Sequence, residues 1–126
     1  MQKHLYKYAT FRVVPVIERE EFINVGVILY CKKEKYIRMR YHLSEDKILA
    51  LMPDADIPEI KTNMEAYRRI AAGEKSCGPI ANLDEAERFG WLTAVRSATI
   101  QTSRPHPGVC DNLENTLNAL FSEMVE

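Results

Sequence analysis

The run FINVGVILY, residues 22–30, constrains the fold more than any other part of the chain. It contains almost no polar residue and is rich in β-branched and aromatic side chains, which is typical of a strand covered on both faces. A strand of this kind lies inside a sheet rather than at its edge. The run therefore predicts a sheet with this segment in a central position.

The neighbouring segments predict the rest of the fold. Residues 4–17 and 36–43 alternate with the period of a strand, and residues 98–103 form a shorter alternating run. Apolar residues at helical spacing predict four helices. Their predicted caps are Ser44, Asp56, Asn82 and either Asp111 or Asn112. The expected fold is α+β, a single domain over residues 1–126 with an antiparallel sheet of about four strands and helices on one face.

Length and composition narrow the class of protein. A chain of 126 residues can bury a core without disulfides or metals. Three cysteines without CxxC spacing, and an N-terminus that leads directly into a strand, favour reduced thiols and a cytoplasmic location. No apolar run approaches the roughly 18 residues of a membrane span. A net charge of -1 removes the simplest argument for a nucleic-acid-binding domain, which is a strongly basic composition.

Asn24 and Gly26 interrupt the central strand run. Glycine inside a strand marks a bulge or a point of close approach to the backbone, and asparagine tolerates unusual backbone angles. Two interpretations follow. The pair marks a structural bulge, or a ligand packs over Gly26.

Residues 92–108, LTAVRSATIQTSRPHPG, bring polar side chains together without a helical pattern. Pro105 and Pro107 remove two N–H donors and exclude both a helix and a central strand. The polar residues on either side of the short strand are expected to form one rim, which suits an anion, a phosphate or a carboxylate; the alternative is the solvated face of an edge strand. The predicted rim comprises Trp91, Arg96, Ser97, Gln101, Ser103, Arg104 and His106, with Trp91 either roofing a pocket or covering core.

A second candidate surface is the basic cluster around the turn at residues 32–35. Its charges suffice in principle for phosphate or for an acidic partner, although a charged face that keeps a sheet soluble explains them equally well. The cluster comprises Lys32, Lys33, Lys35, Arg38 and Arg40.

The sequence lacks the patterns of several common chemistries. His4, His42 and His106 are far apart, and neither metal-ligand spacing nor a Gly-rich nucleotide motif occurs. Ser103 with His106 is the only near pair of nucleophile and base, and no orienting acid can be identified. No cofactor, metal or catalytic residue is therefore expected.

Two stretches together, EFINVGVIL at residues 21–29 and LTAVRSATIQTSRPHPG at residues 92–108, resemble a bacterial family known only as domain of unknown function 3037. The resemblance extends over nearly the whole chain. It implies a small cytoplasmic bacterial protein, often encoded beside a HipA-like kinase protein of the persistence-toxin type, and it implies no activity. The residues that match the family pattern are Asn24, Gly26, Arg96, Ser97, Gln101, Ser103, His106, Pro107 and Gly108.

The leading functional hypothesis is a non-catalytic protein-binding module that presents the rim, and the strand around Asn24 and Gly26, to a kinase-like partner. One alternative is an enzyme or nucleotide-handling protein that acts on a phosphate-bearing substrate through Arg96, Gln101, Ser103 and His106. The other is nucleic-acid binding through the basic cluster. The residues give no argument for a particular oligomeric state.

Overall fold

The computed structural model describes residues 3–14, 21–95 and 99–126. These residues form five strands, four α-helices and two short 3₁₀ turns, Lys75–Cys77 and Ile80–Asn82. In chain order the strands and helices are β1 His4–Val13, β2 Ile23–Cys31, β3 Tyr36–Tyr41, α1 Glu45–Leu51, α2 Ile57–Ala71, α3 Glu85–Leu92, β4 Ile100–Thr102, β5 His106–Cys110 and α4 Leu113–Met124.

The strands form one antiparallel sheet in the order β3-β2-β1-β4, with β5 also paired to β1. β4 pairs with the C-terminal part of β1, from Phe11 to Val13, whereas β5 pairs with its N-terminal part, from His4 to Tyr8. The two short strands therefore lie end to end along the same edge of the sheet. β2 lies between β1 and β3, as its apolar sequence predicts.

Helices cover both faces of the sheet. On one face α2 and α3 pack over a core that includes Phe11, Ile28 and Met64. On the other face Leu113 and Leu117 of α4 pack with neighbouring residues of β2. The α+β class and the antiparallel sheet are confirmed, but the expected placement of all helices on one face is wrong. Successive side chains of β2 point to opposite faces and nearly all are apolar, so that each face needs its own cover.

β5 was not predicted, because the prolines around it indicate a loop. It lies at the edge of the sheet, where the missing N–H of Pro107 is tolerated. Gly108 is paired with Tyr6, and a Cβ atom at Gly108 would clash with the ring of that tyrosine. The ring of Tyr6 therefore lies directly over the glycine, and a larger residue would displace it.

Two of the four predicted helix caps form side-chain hydrogen bonds, and Ser44 occupies the N-cap position of α1 without one. Asp56 accepts a hydrogen bond from the N–H of Glu59, and Asn112 begins the last helix in the same way. The third helix begins at Asp84 rather than at Asn82. Asn82 belongs to a 3₁₀ turn, and its side-chain amide donates to the carbonyl of Gly78 over 2.8 Å.

No helix within the described ranges combines the length and apolar character that crossing a membrane requires.

Candidate functional site

β1 brings the two family-like stretches together. Arg12 lies opposite Asn24 of β2 on one side and opposite Gln101 of β4 on the other. Side chains of directly paired residues in antiparallel strands point to the same face. Phe11 and Val13 point into the core under α2 and α3, so Arg12 points to the opposite face. Asn24, Arg12 and Gln101 thus form a cross-strand row on the face that carries α4, and we call these three residues the polar row.

A β-bulge places Asn24 in this row. The register shifts so that Phe11 pairs with Gly26 and Arg12 pairs with Asn24, which leaves Val25 without a partner. Val25 packs into the core under α2 and α3. In a regular strand Asn24 would point to the same face as Gly26 and Ile28, whereas the extra residue turns it to the face of Arg12. The bulge expected at this position is therefore present, and it has a geometric consequence for the site.

Gly26 is required by close packing. A Cβ atom at this position would lie 3.1 Å from the carbonyl oxygen of Arg40, 3.1 Å from Cβ of Tyr41 and 3.3 Å from Cε of Met64. These distances are shorter than ordinary van der Waals contacts between heavy atoms. Residues of β3 and α2 therefore already lie over Gly26, which accounts for the glycine without a ligand.

Polar atoms of the site are buried without partners. Among the described residues, Nε of Arg12, Oδ1 of Asn24 and Oγ1 of Thr10 have no hydrogen-bond partner. Thr10 precedes Arg12 by two residues in β1 and therefore points to the same face. A buried polar atom left unsatisfied costs about 1–3 kcal/mol, and most such atoms in proteins are paired. Three such atoms therefore lie in neighbouring residues of this region.

Arg12 is held in place by an aromatic ring. Its Cζ atom lies 4.2 Å from the ring centroid of Phe22, which is a cation–π distance. A guanidinium flanked by two carboxamides offers several N–H donors in a small area. The arrangement suits a carboxylate, which an arginine binds through two parallel hydrogen bonds.

Ser103 and His106 have different surroundings. Ser103 is buried, accepts a hydrogen bond from the N–H of Thr10 over 2.9 Å, and donates to the carbonyl of Arg104 over 3.1 Å. It therefore ties the end of β4 to β1. His106 is exposed, and its ring lies 5.2 Å from that of Tyr8. Arg104, between them, is exposed.

The described members of the predicted rim do not lie at one point. Arg96 and Ser97 lie outside the described residues. His106 pairs with Tyr8 and Gln101 pairs with Arg12, so the two are four residues apart along β1, roughly 13 Å at about 3.3 Å per residue.

Trp91 lies on the other side of the sheet from Gln101 and His106. It belongs to α3, and Phe89 and Leu92 of this helix are buried in the core on the sheet face that α2 and α3 cover. It is 41% exposed and packs edge-to-face against Tyr67. Trp91 therefore does not roof the polar row.

The basic cluster divides into two parts. Nη1 of Arg40 donates to Oδ1 of Asn118 over 2.6 Å, and its Cζ lies 4.2 Å from the ring centroid of Phe121. Arg40 is thus engaged in holding α4 against the sheet. Arg38 and the lysines of the turn are exposed. The charge that remains for an external ligand is therefore smaller than the sequence indicates.

Within the part of the chain that the structure describes, His, Cys, Asp and Glu side chains do not form a group of three or more that could hold a metal ion.

Arg12 and Thr10 are the residues that the sequence analysis missed. Both read as ordinary members of an alternating strand. The sequence carries only a weak signal, an arginine and a threonine that alternate with apolar residues, which is equally typical of the solvated face of a strand.

A family model described as protein of unknown function (DUF3037) matches residues 8–125. Neither a curated protein nor a solved structure matches the chain.

Proposed function

Since the chain belongs to the family of proteins of unknown function DUF3037, whose description assigns no activity, we propose from the geometry that it is a non-catalytic module that binds a partner protein through the polar row. The observation that carries this proposal is the set of buried polar atoms of Thr10, Arg12 and Asn24 that have no partner among the described residues. A carboxylate supplied by a partner would accept from Nε of Arg12 and from the hydroxyl of Thr10, whereas Oδ1 of Asn24, itself an acceptor, would need a donor from the partner.

The chemistry of the row favours an acidic side chain of the partner. Arg12 offers two parallel N–H donors to a carboxylate, and the amides of Asn24 and Gln101 on either side of it can donate as well. The stacked Phe22 ring restricts the motion of the guanidinium, which lowers the entropy that is lost on binding.

A catalytic role has less support in the same geometry. Among the residues that the structure describes, the polar row contains no side chain that titrates near neutral pH, and the imidazole of His106 lies roughly 13 Å farther along β1 at about 3.3 Å per residue. General acid–base catalysis needs a group within hydrogen-bond reach of the reacting atoms. The side chains of the polar row therefore suit the binding of a carboxylate better than the transfer of a proton.

The partner that we propose is a kinase-like protein encoded beside the gene, as the family resemblance implies. Affinity measured by isothermal titration calorimetry with that protein tests the proposal. We expect Arg12→Ala to weaken binding at least about tenfold, because a charged group then loses its bidentate partner, and Arg12→Lys to restore only part of the affinity.

Lys7→Ala is the matched control, since Lys7 is an exposed cation of the same strand that points to the opposite face. It should bind as the unmodified protein does, and circular dichroism should show that all three variants are folded. A complex that fails to form at micromolar concentration, or one that Arg12→Ala and Lys7→Ala weaken equally, would contradict the proposal.

A further inference from the structure

A groove runs along the outer edge of β3. Its volume is about 380 Å³, and a continuous stretch of the chain, residues 34–39, forms one wall. The other wall consists of residues near the C-terminal end of α2 and of one residue of α3, namely Arg68, Ala71, Ala72 and Arg88. Because β3 is paired only with β2 among the described strands, this groove follows an open edge of the sheet.

On this edge the backbone of β3 has N–H and C=O groups that no described strand pairs with. The N–H of His42 donates to the carbonyl of Val25, and the carbonyl of Arg40 points toward Gly26 of β2. In an antiparallel pair, residues whose N–H and C=O point to the neighbouring strand alternate with residues whose groups point away. Ile37 and Met39 therefore direct their N–H and C=O groups into the groove. An edge strand with such groups can pair with an additional strand.

The groove is strongly cationic. Lys35, Arg38, Arg68 and Arg88 line it, against one acidic residue, Glu34. Oε1 of Glu34 lies 3.6 Å from Nδ1 of His4, so this carboxylate already has a neighbour. Arg68 is paired with Glu65, so Lys35, Arg38 and Arg88 supply the positive potential of the groove.

Three of these cations are not neutralised within the described residues. Arg68 forms two hydrogen bonds with Glu65, of 2.9 and 2.7 Å, and these bonds together with the one from Tyr41 lower the pKa of Glu65 to about 2. Lys35, Arg38 and Arg88 take part in no salt bridge there, and Nε of Arg88 is buried without a hydrogen-bond partner. Nη1 of Arg88 donates to the carbonyl of Ala81 over 3.5 Å, so the charges of Lys35 and Arg38 are the ones most open to a negatively charged ligand.

We propose that this groove, which we call the cationic groove, binds an extended acidic segment of a partner protein that adds a strand to β3. The backbone groups of Ile37 and Met39 would form the ladder, and acidic side chains on the two faces of the added strand would meet Arg38 on one face and Arg88 on the other. A nucleic acid would use the charges but not the open ladder. The groove lies on the opposite edge of the sheet from β4, so the inference is independent of the polar row.

Fluorescence anisotropy with a labelled peptide tests this inference. The probe is a blocked peptide of about ten residues, the length of a long strand, made of Glu, Thr and Val with Glu on both faces of the extended chain. We expect micromolar binding that Lys35→Glu with Arg38→Glu weakens at least about tenfold. Lys32→Glu with Lys33→Glu is the matched control, because it makes the same change of charge in the adjoining turn, at residues that do not line the groove.

A second peptide distinguishes strand addition from simple charge attraction. Its alternate Thr and Val residues are replaced by proline, so it keeps the charge but lacks the N–H donors of a ladder, and it should bind at least about tenfold more weakly. Equal binding of the two peptides would overturn the proposal, as would equal loss in both charge-reversal variants or no binding at all.

Two further measurements separate other occupants of the groove. A single-stranded oligonucleotide of similar charge that binds as tightly as the acidic peptide would overturn the proposal in favour of nucleic acid. Sedimentation that shows a dimer dissociated by the Lys35→Glu and Arg38→Glu variant would overturn it in favour of pairing between two copies of β3. A monomer that prefers the peptide supports it.

Discussion

Replacing Leu117 with alanine is expected to lower the free energy of unfolding by about 2–5 kcal/mol. Leu117 is 4% exposed and packs from α4 against Val27 and Leu29 of β2. The truncation leaves a cavity between α4 and the sheet. Among the described helices, only α4 contributes to the apolar cluster on this face of the sheet. Chemical denaturation followed by circular dichroism measures the change.

The matched control is Leu49→Ala, which removes the same atoms from an exposed position of α1. Its expected effect is within about 0.5 kcal/mol of zero. If the two substitutions cost the same, α4 is not packed on the sheet, and the arrangement with helices on both faces is contradicted.

The second large effect is expected at Gly26, where alanine should lower the free energy of unfolding by about 1–3 kcal/mol. The added Cβ would lie 3.1 Å from a backbone oxygen of β3 and 3.3 Å from Cε of Met64. The methionine can move aside, but the oxygen of Arg40 belongs to a paired strand and cannot move without disturbing the sheet.

Gly90→Ala provides a control of opposite sign. Gly90 lies inside α3, and a Cβ at this position would have no neighbour within 4 Å. Alanine there should raise stability by about 0.5–1 kcal/mol, because glycine weakens a helix interior. A neutral or favourable Gly26→Ala would show that β3 and α2 do not crowd this position.

The sequence of β2 predicts its own position well, because an apolar run with both faces buried can only lie inside a sheet. The same run also implies that elements pack on both faces of the sheet, which conflicts with the expectation that all helices lie on one face. The stripe of Leu113, Leu117 and Phe121 supplies the second cover. Such a stripe shows that α4 packs on something but not on which face.

The polar row could not be predicted from local patterns. Asn24, Arg12 and Gln101 come from three separate segments, and the bulge at Val25 decides which face Asn24 takes. A shift of one residue would turn the side chain to the other face, and the register depends on pairing across the whole sheet. The prediction of the rim rests on residues that are close in sequence. In an extended chain such residues lie more than about 3 Å apart per position, so they do not necessarily meet in space.

The cationic groove was missed for a related reason. The turn lysines and Arg38 are neighbours in sequence, but Arg68 and Arg88 reach the same groove from α2 and α3. Arg40, counted with the cluster, is held by Asn118 and Phe121 instead. A charge pattern along the chain does not show which charges are neutralised by the fold.

The most direct test of the central claim is an NMR titration of isotope-labelled protein with the kinase-like partner, observing the Nε–H of Arg12 and the side-chain amides of Asn24 and Gln101. The account predicts that these three signals shift on binding, while the indole N–H of Trp91, on the other side of the sheet, does not. If the partner binds and shifts other signals while the three signals of the polar row stay in place, the polar row is not the surface through which this protein binds.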